Sequence, residues 1–316
     1  MRKIPIGDEY PIFLAPMAGY TDISFRKIAF ENELPYAVSE MISAKAMSYN
    51  DKRTLEISKT EGRCGIQLFG HELEAFRIAI EEHLNPRDDF LWIDLNFGCP
   101  APKIFKNQDG SSLLQYPNKI SDIIKTCKKY SNKPVSAKMR LGIDNSDNAI
   151  EIAKIIEDAE ADFLTVHGRT RDMGYSGVAD WDMIFKIRKS LSIPVIGNGD
   201  INSASCAVKL LQSNDIDGIS IGRAAVGNPF IFKEIISILE GRDYKLDAKE
   251  RYTTIKRHFK YLTKSKGERR AVNDFRKHLM KYLNEKEGAP LIRKSLGEIN
   301  SIEDMDRAID FLFDKD

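Results

Sequence analysis

The residues best equipped for chemistry sit together in Asp94-Leu95-Asn96-Phe97-Gly98-Cys99-Pro100, where the hydrophobic run Phe90-Leu91-Trp92-Ile93 gives way to polar, small and reactive side chains. A buried strand that ends this way carries a reactive group to the rim of a parallel sheet. Gly98 is expected to adopt backbone angles that a side chain rarely allows, and Pro100 to stiffen the exit. The thiol between them can donate a proton or attack as a thiolate. A cysteine alone in such a run more often packs as a small hydrophobe, so the weight of Cys99 depends on its company.

That company recurs along the chain. Short apolar runs, each closed by glycine or polar residues and followed by an amphipathic stretch, predict strands at Ile12–Ala15, Tyr36–Ser39, Gly65–Phe69, Phe90–Leu95, Val135–Met139, Asp162–Val166, Pro194–Ile196 and Gly218–Ile221. Helices are predicted between them, among others over Glu72–His83, Lys119–Tyr130, Asn148–Ala159, Trp181–Leu191 and Ser203–Gln212. Eight strand–helix units before residue 240 predict an α/β fold, a (β/α)8 TIM barrel. A doubly wound open sheet fits less well. No G-x-G-x-x-G follows the first run, and polar residues follow nearly every strand instead of marking one switch point.

Barrel enzymes assemble their sites at the carboxyl ends of the strands. Those ends read Pro16-Met17-Ala18-Gly19, Glu40-Met41, Gln67, Asn96 with Cys99, Lys138 with Arg140, His167 with Arg169, Asn198-Gly199-Asp200 and Gly222-Arg223. Any one of them could be a solvated strand end or a satisfied core histidine. Taken together they describe a site rich in hydrogen-bond donors and positive charge. Glycine-bearing turns at 197–200 and 222–225 close the last two strands. There this fold commonly binds phosphate through backbone N–H groups, and Arg223 could add a bidentate contact.

Read as a set, several segments resemble the tRNA-dihydrouridine synthases. They are Ala15-Pro16-Met17-Ala18-Gly19-Tyr20-Thr21-Asp22, Gln67-Leu68-Phe69-Gly70, Asn96-Phe97-Gly98-Cys99-Pro100, Ala137-Lys138-Met139-Arg140-Leu141-Gly142, Val166-His167-Gly168-Arg169-Thr170-Arg171 with Tyr175-Ser176-Gly177, Asn198-Gly199-Asp200 and Gly222-Arg223-Ala224-Ala225. The likeness runs in order from the first predicted strand to just beyond the eighth and is greatest to the broad bacterial branch. It departs at Phe97, where many relatives carry methionine, and at Gly110-Ser111-Ser112, where alanines often follow the glycine.

The resemblance implies an FMN-dependent reductase that saturates the 5,6 double bond of selected tRNA uridines, with NADPH as reductant and NADH as the alternative. It implies hydride transfer from the flavin N5 to uracil carbon 6, with Cys99 as the general acid for carbon 5. Pro16, Met17 and Ala18 would flank the cofactor, Gln67 would pair with the polar edge of its ring, and Lys138 would meet negative charge on the ring or the phosphate. His167, Asn198, Gly199, Asp200, Gly222 and Arg223 would hold its tail, while Asn96, Lys103, Arg140, Arg169 and Arg171 would face substrate.

The net charge of the 316-residue chain is only +1, yet residues 251–294 hold 14 Lys+Arg against 4 Asp+Glu, leaving −9 for the remainder. The pattern after Gly241 is purely helical, which predicts a barrel over 1–240 and a small all-α, tRNA-binding domain over 241–316. A charge run is ordinarily a solvated helix face. This asymmetry suits a phosphate backbone, with Arg269, Arg270, Arg276 and Lys277 as contacts and Tyr252, His258, Phe259, Tyr261, Phe275, His278 and Tyr282 interleaved. Chemistry on one base requires that base to be unstacked first. The four scattered cysteines suggest neither a metal site nor a disulfide framework. With no apolar leader and no membrane-spanning run, a cytoplasmic monomer is expected. Two other readings stay open: a flavin barrel acting on a free pyrimidine, against which the basic tail argues, and a non-catalytic tRNA-binding protein, against which the reactive strand ends argue.

Overall fold

The computed structural model describes residues 1–283, 293, 296–311 and 313. Its strands are β1 (Ile12–Leu14), β2 (Tyr36–Val38), β3 (Ile42–Ser43), β4 (Cys64–Phe69), β5 (Trp92–Phe97), β6 (Val135–Arg140), β7 (Phe163–His167), β8 (Val195–Asn198) and β9 (Gly218–Ile221). All pairings are parallel, and the ring closes where β1 meets β9 at Ile12↔Ile219 and Leu14↔Ile221. Strands β2 and β3 are two pieces of one stave, since both pair with β4, at Ala37↔Cys64 and at Ile42↔Leu68. The barrel therefore has eight staves, as predicted. Most strand ends differ from the expected runs by a residue or two; β5, for instance, runs on to Phe97 because Asn96 and Phe97 pair with Lys138 and Met139.

The helices are α1 (Ile23–Glu31), α2 (Ala44–Ser48), α3 (Lys52–Ile57), α4 (Leu73–Ile78), α5 (Pro102–Lys106) and α6 (Pro117–Tyr130), then α7 (Ala149–Asp158), α8 (Trp181–Ser190), α9 (Ala204–Gln212), α10 (Phe230–Leu239), α11 (Ala248–Lys266) and α12 (Glu268–Tyr282). The long helices between the strands turn their apolar stripes to the ring. In α6, for example, Ile120, Ile123, Ile124 and Cys127 are buried at helical spacing behind a proline in the first turn. Helix α4 widens into a π-helical segment at Ala79–Leu84, which completes the helix predicted there.

The amino end of the ring is plugged by Phe13, Tyr36, Trp92 and Phe163, with Ile4 and Ile196. Phe13 stacks on Tyr36 at 5.2 Å and meets Trp92 edge-on at 5.9 Å. Glycine at 65 makes room for this layer, because a Cβ there would lie 2.2 Å from the Trp92 indole. With that end filled, the carboxyl end is left for the site.

Helices α11 and α12 and a final helix, Ile302–Phe311, enclose a second core built on Ile255, Phe259, Leu262, Phe275, Leu279, Met305 and Ile309. This corrects the expectation of an aromatic RNA surface. Phe259, Phe275, Tyr282, His258 and His278 recur at helical spacing on the inner faces and are buried. Within the basic segment, residues 284–292 and 294 lie outside the described residues. The tail is tied to α1 by Lys266 to Asp22 (2.6 Å), Arg257 to Glu31 (2.8 Å) and a hydrogen bond donated by the Tyr261 hydroxyl to Glu31 (2.6 Å).

At this junction His258 and His278 lie 4.6 Å apart, and each ring centroid is 5.5 Å from that of Phe25. Among the described residues both ring nitrogens of His278 lack a hydrogen-bond partner, as does Nε2 of His258. Burial pushes His258 down from 6.5 to about 4 and lowers His278 well below its ordinary value. Neutral in the folded chain and protonatable near 6.5 once unfolded, they contribute stability that is complete above about pH 6.5 and is lost as pH falls through 4. Thermal unfolding followed from pH 7 to pH 4.5 should show this loss, and His278→Phe should flatten it. An unchanged pH dependence in that variant would remove the pair as the cause.

Candidate active site

A cavity of about 820 Å³ opens at the carboxyl end of the barrel. Its wall takes Pro16, Met17 and Ala18 from the turn after β1, Met41 from the break in the second stave, Gln67 from β4, and Asn96 with Cys99 from β5 and its exit. It continues through Lys138 and Arg140 of β6, His167 of β7, Asn198, Gly199 and Asp200 at the end of β8, Gly222 and Arg223 after β9, and Lys281 from α12. Every predicted cofactor residue lies on this wall, together with Asn96, Cys99, Arg140 and Arg171.

Hydrogen bonds order its floor. Asp94 accepts from the Ser136 hydroxyl at 2.6 Å and from the Gln67 amide at 2.7 Å. The Gln67 carbonyl accepts from the Asn96 amide at 2.7 Å, and the Asn96 carbonyl accepts from the backbone N–H groups of Gly98 (3.1 Å) and Cys99 (2.9 Å). The carbonyl of Cys99 accepts from the Ser111 hydroxyl at 2.8 Å. Gly98 does not adopt the left-handed backbone expected of it. Glycine is suited there by close approach instead, since a Cβ would lie 3.3 Å from Met139 C and 3.4 Å from Arg140 N.

The electrostatics assign protonation states. Burial pushes the Cys99 thiol up, and the Ala101 backbone, Arg140 and Lys138 offset this only in part, so the thiol holds its proton at neutral pH. Burial, helped by Arg140, pushes Lys138 down to about 8, while its ammonium donates to the Asn198 carbonyl at 3.2 Å. His167 is driven far below its ordinary value by burial and then by Lys138, Arg140, Arg169 and Arg223, so it is a neutral imidazole. At the other end of the cavity Gly199 turns at φ +130°, where a Cβ would lie 2.6 Å from that of Ala179.

Several predicted contacts sit elsewhere. Arg169 is 2% exposed and lies behind the wall rather than facing substrate. Its guanidinium donates to both Asp200 oxygens at 2.7 Å and to the carbonyls of Ser176 and Gly177, so tertiary structure consumes its donors. The Asp200 carboxylate also accepts from Ala179 N and Arg223, which makes it a brace for two cations and not a free group for a ligand. Arg140 reaches the wall but donates to the carbonyls of Gly98, Thr170 and Gly174. Lys103 is exposed on α5 and does not line the cavity, although the adjacent Pro102 does. Arg269 and Arg270 are exposed in the first turn of α12, Arg276 donates to Ile299 O, and Lys277 lies 5.3 Å over the Tyr20 ring.

Three wall or floor residues had no role assigned from sequence. Asp94 was legible as a carboxylate inside an apolar strand. Tyr175, 58% exposed with Arg223 and Arg140 at 4.9 and 5.8 Å from its ring, could be suspected from the glycines around it. Lys281 gave no local signal, because only the packing of α12 brings it to the cavity.

Arg169→Ala should leave Asp200 with only Arg223 and Ala179 N and leave two carbonyls unpartnered, and urea unfolding should register a loss of about 3 kcal/mol. Asp200→Asn, which keeps one acceptor oxygen, should cost less. Equal stability of wild type and Arg169→Ala would show that the pair contributes nothing.

Comparison with known proteins places these features in context. The family model described as Dihydrouridine synthase (Dus) matches residues 13–314. The chain is 34% identical to tRNA-dihydrouridine synthase B of Pasteurella multocida, over 91% of this chain and 88% of that protein. It is 36% identical to tRNA-dihydrouridine synthase B of Vibrio cholerae, over 95% and 94%. Among solved structures, 2-naphthoyl-CoA reductase superposes with a TM-score of 0.57 at 13% identity, over 73% of this chain and 50% of that one. Histamine dehydrogenase from Rhizobium gives 0.54 at 15% identity, over 82% and 50%. These two likenesses speak for the barrel alone.

Proposed function

The chain belongs to the dihydrouridine synthase family, and on that premise we propose that it reduces the 5,6 double bond of particular uridines in tRNA, using bound FMN and NADPH. The observation that carries the reading is the protonated Cys99 thiol on the wall of a cavity rich in amides and cations, with a neutral imidazole and with its two carboxylates, Asp172 and Asp200, each paired with arginine. That donor set fits a flavin. Gln67 offers an amide to the edge of a planar ring, Lys138 a cation beside it, and Pro16, Met17 and Ala18 an apolar flank. The turns at Gly199 and Gly222, with Arg223 and His167, offer backbone and side-chain donors to a phosphate-bearing tail.

Bound there, the flavin supplies the hydride for uracil carbon 6. The protein supplies the proton for carbon 5. Burial keeps it on Cys99 until the transfer, and Arg140 and Lys138 then favour the thiolate left behind. Asn96 holds the backbone of that thiol through the N–H groups of Gly98 and Cys99. The exposed Tyr175 ring, backed by two guanidiniums, gives an unstacked nucleotide a surface to lie on at the mouth.

The tail carries the RNA-binding function in this reading, as a unit over 241–316 joined to a barrel over 1–240. Helix α12 runs from Arg269 and Arg270 to Lys281 at the cavity mouth, a span of about 18 Å at the rise of an α-helix. Cations spread along that length meet successive phosphates of a strand whose one base enters the barrel. A free pyrimidine would make no use of them. Among the described residues no helix can cross a membrane and no cluster could hold a metal ion. In this reading the protein works on tRNA in the cytoplasm.

Two outcomes test this. In Cys99→Ala, flavin reduction by NADPH should proceed nearly as in wild type, while reoxidation by unmodified tRNA slows by about 10²–10⁴-fold. Rapid-mixing flavin absorbance separates the two steps, and reoxidation at the wild-type rate would make Cys99 structural. Neutralising Arg269 with Arg270 should lower the slope of log affinity for tRNA against log salt by about 1 to 2, with flavin content unchanged. Parallel salt plots would move the RNA surface elsewhere.

A further inference from the structure

Gln67, Asp94 and Ser136 occupy one layer of the barrel, paired in register across β4, β5 and β6, and Asn96 lies one layer above Asp94 on the same strand face. Side-chain amides are ambiguous in direction, because each has one accepting and one donating end. Here both ends of the chain fix it. The backbone N–H groups of Gly98 and Cys99 can only donate, so the Asn96 oxygen must face them and its nitrogen must face Gln67. That turns the Gln67 nitrogen toward position 94, where an acceptor is required.

We propose that Asp94 is a positioning residue: its carboxylate sets the direction of the hydrogen-bond chain through Gln67 and Asn96 that fixes the Cys99 turn. Asp94 does not itself line the cavity and does not contact Cys99, yet among the described residues it has no counter-cation within salt-bridge distance, and it is 2% exposed. A carboxylate held there without a cation is costly. Its two donors, Ser136 and Gln67, partly offset that cost. A donor presented to Gln67 from position 94 would turn Gln67 over and leave Asn96 to face a second nitrogen. The inference rests on the reading of Cys99 as proton donor only for its catalytic meaning; the positioning itself is a property of the folded chain.

A swap of charge along the chain tests it. Asn96→Asp alone sets carboxylates on both sides of the Gln67 amide, which can donate to only one of them. Adding Asp94→Asn restores a consistent chain in the opposite sense. The carboxylate introduced at position 96 accepts from Cys99 N–H and Gln67, and the Gln67 oxygen accepts from the amide introduced at position 94. The readout is alkylation by iodoacetamide, resolved by mass spectrometry for Cys99 and Cys206, on the full chain at matched flavin occupancy. Both thiols are partly exposed, so Cys206 on α9 reports global loosening.

The expected result is a Cys99 rate altered about tenfold in Asn96→Asp and returned to near the wild-type value in the double variant, with Cys206 constant throughout. The proposal fails if the double variant is no closer to wild type than the single one. It also fails if both thiols change together, or if Asn96→Asp leaves Cys99 unaltered. None of these results depends on activity with tRNA, so they are separable from the catalytic role of the thiol.

Discussion

Closing the ring between β1 and β9 is the constraint on which the site depends. Three residue pairs, ending at Leu14↔Ile221, bring the Pro16–Ala18 turn beside the Gly222–Arg223 turn although the chain between them is most of the barrel. The same closure leaves the staves buried on both faces, so a polar side chain can be accommodated only where it reaches the carboxyl rim or finds partners inside. The aromatic plug of Phe13, Tyr36, Trp92 and Phe163 fills the other end. Backbone pairing and apolar packing thus determine where chemistry can occur before any reactive residue is considered.

Charge inside that rim is handled by burial and pairing together. Lys138, Arg140 and Arg223 line one end of the cavity with Arg169 behind it, and four cations this close would repel one another strongly in a low dielectric. Asp200 braces two of them, backbone carbonyls take up Arg140 and Arg169, and Lys138 is pushed down to about 8. His167 adds no further charge. The result is a positive but largely immobilised surface, suited to an anionic tail and to a thiolate that forms during a reaction. The carboxylate of Asp94 lies beneath this surface and directs amide dipoles upward into it.

The sequence disclosed the staves well because buried parallel strands are short apolar runs ending abruptly, and the rim residues stand immediately after each run. Cys99, Gln67, Lys138 and the glycine turns were legible for that reason. Arg169 was not, since a strand-end arginine looks the same whether it faces solvent or folds back onto Asp200 and two carbonyls. The aromatics of the tail misled for a related reason. Basic and aromatic residues interleaved along a helix are equally consistent with a stacking surface and with an amphipathic helix whose aromatic stripe is its core, and burial of Phe259, Phe275 and Tyr282 decides for the latter. Lys281 and the Asp94 chain arise from tertiary juxtaposition, which no local pattern encodes.

The tail is more than a tether for RNA, because it is packed against the turn that bounds the cofactor end of the cavity. Gly227, just beyond the Gly222–Arg223 turn, has φ +77°, and a Cβ there would lie 2.4 Å from the backbone of Lys281. Helix α12 therefore sits in direct backbone contact with the exit of β9, while Asp22 and Glu31 hold α11 to α1. On the proposed reading, the helix that would present cations to RNA and the wall that would receive the base share one set of contacts. Distance from phosphate to active-site thiol is then set by packing rather than by a flexible linker. On the proposed reading, a tRNA gripped along α12 would offer to the cavity only a nucleotide at that fixed distance, and the packing of the tail on the barrel would then bear on which uridine is reached.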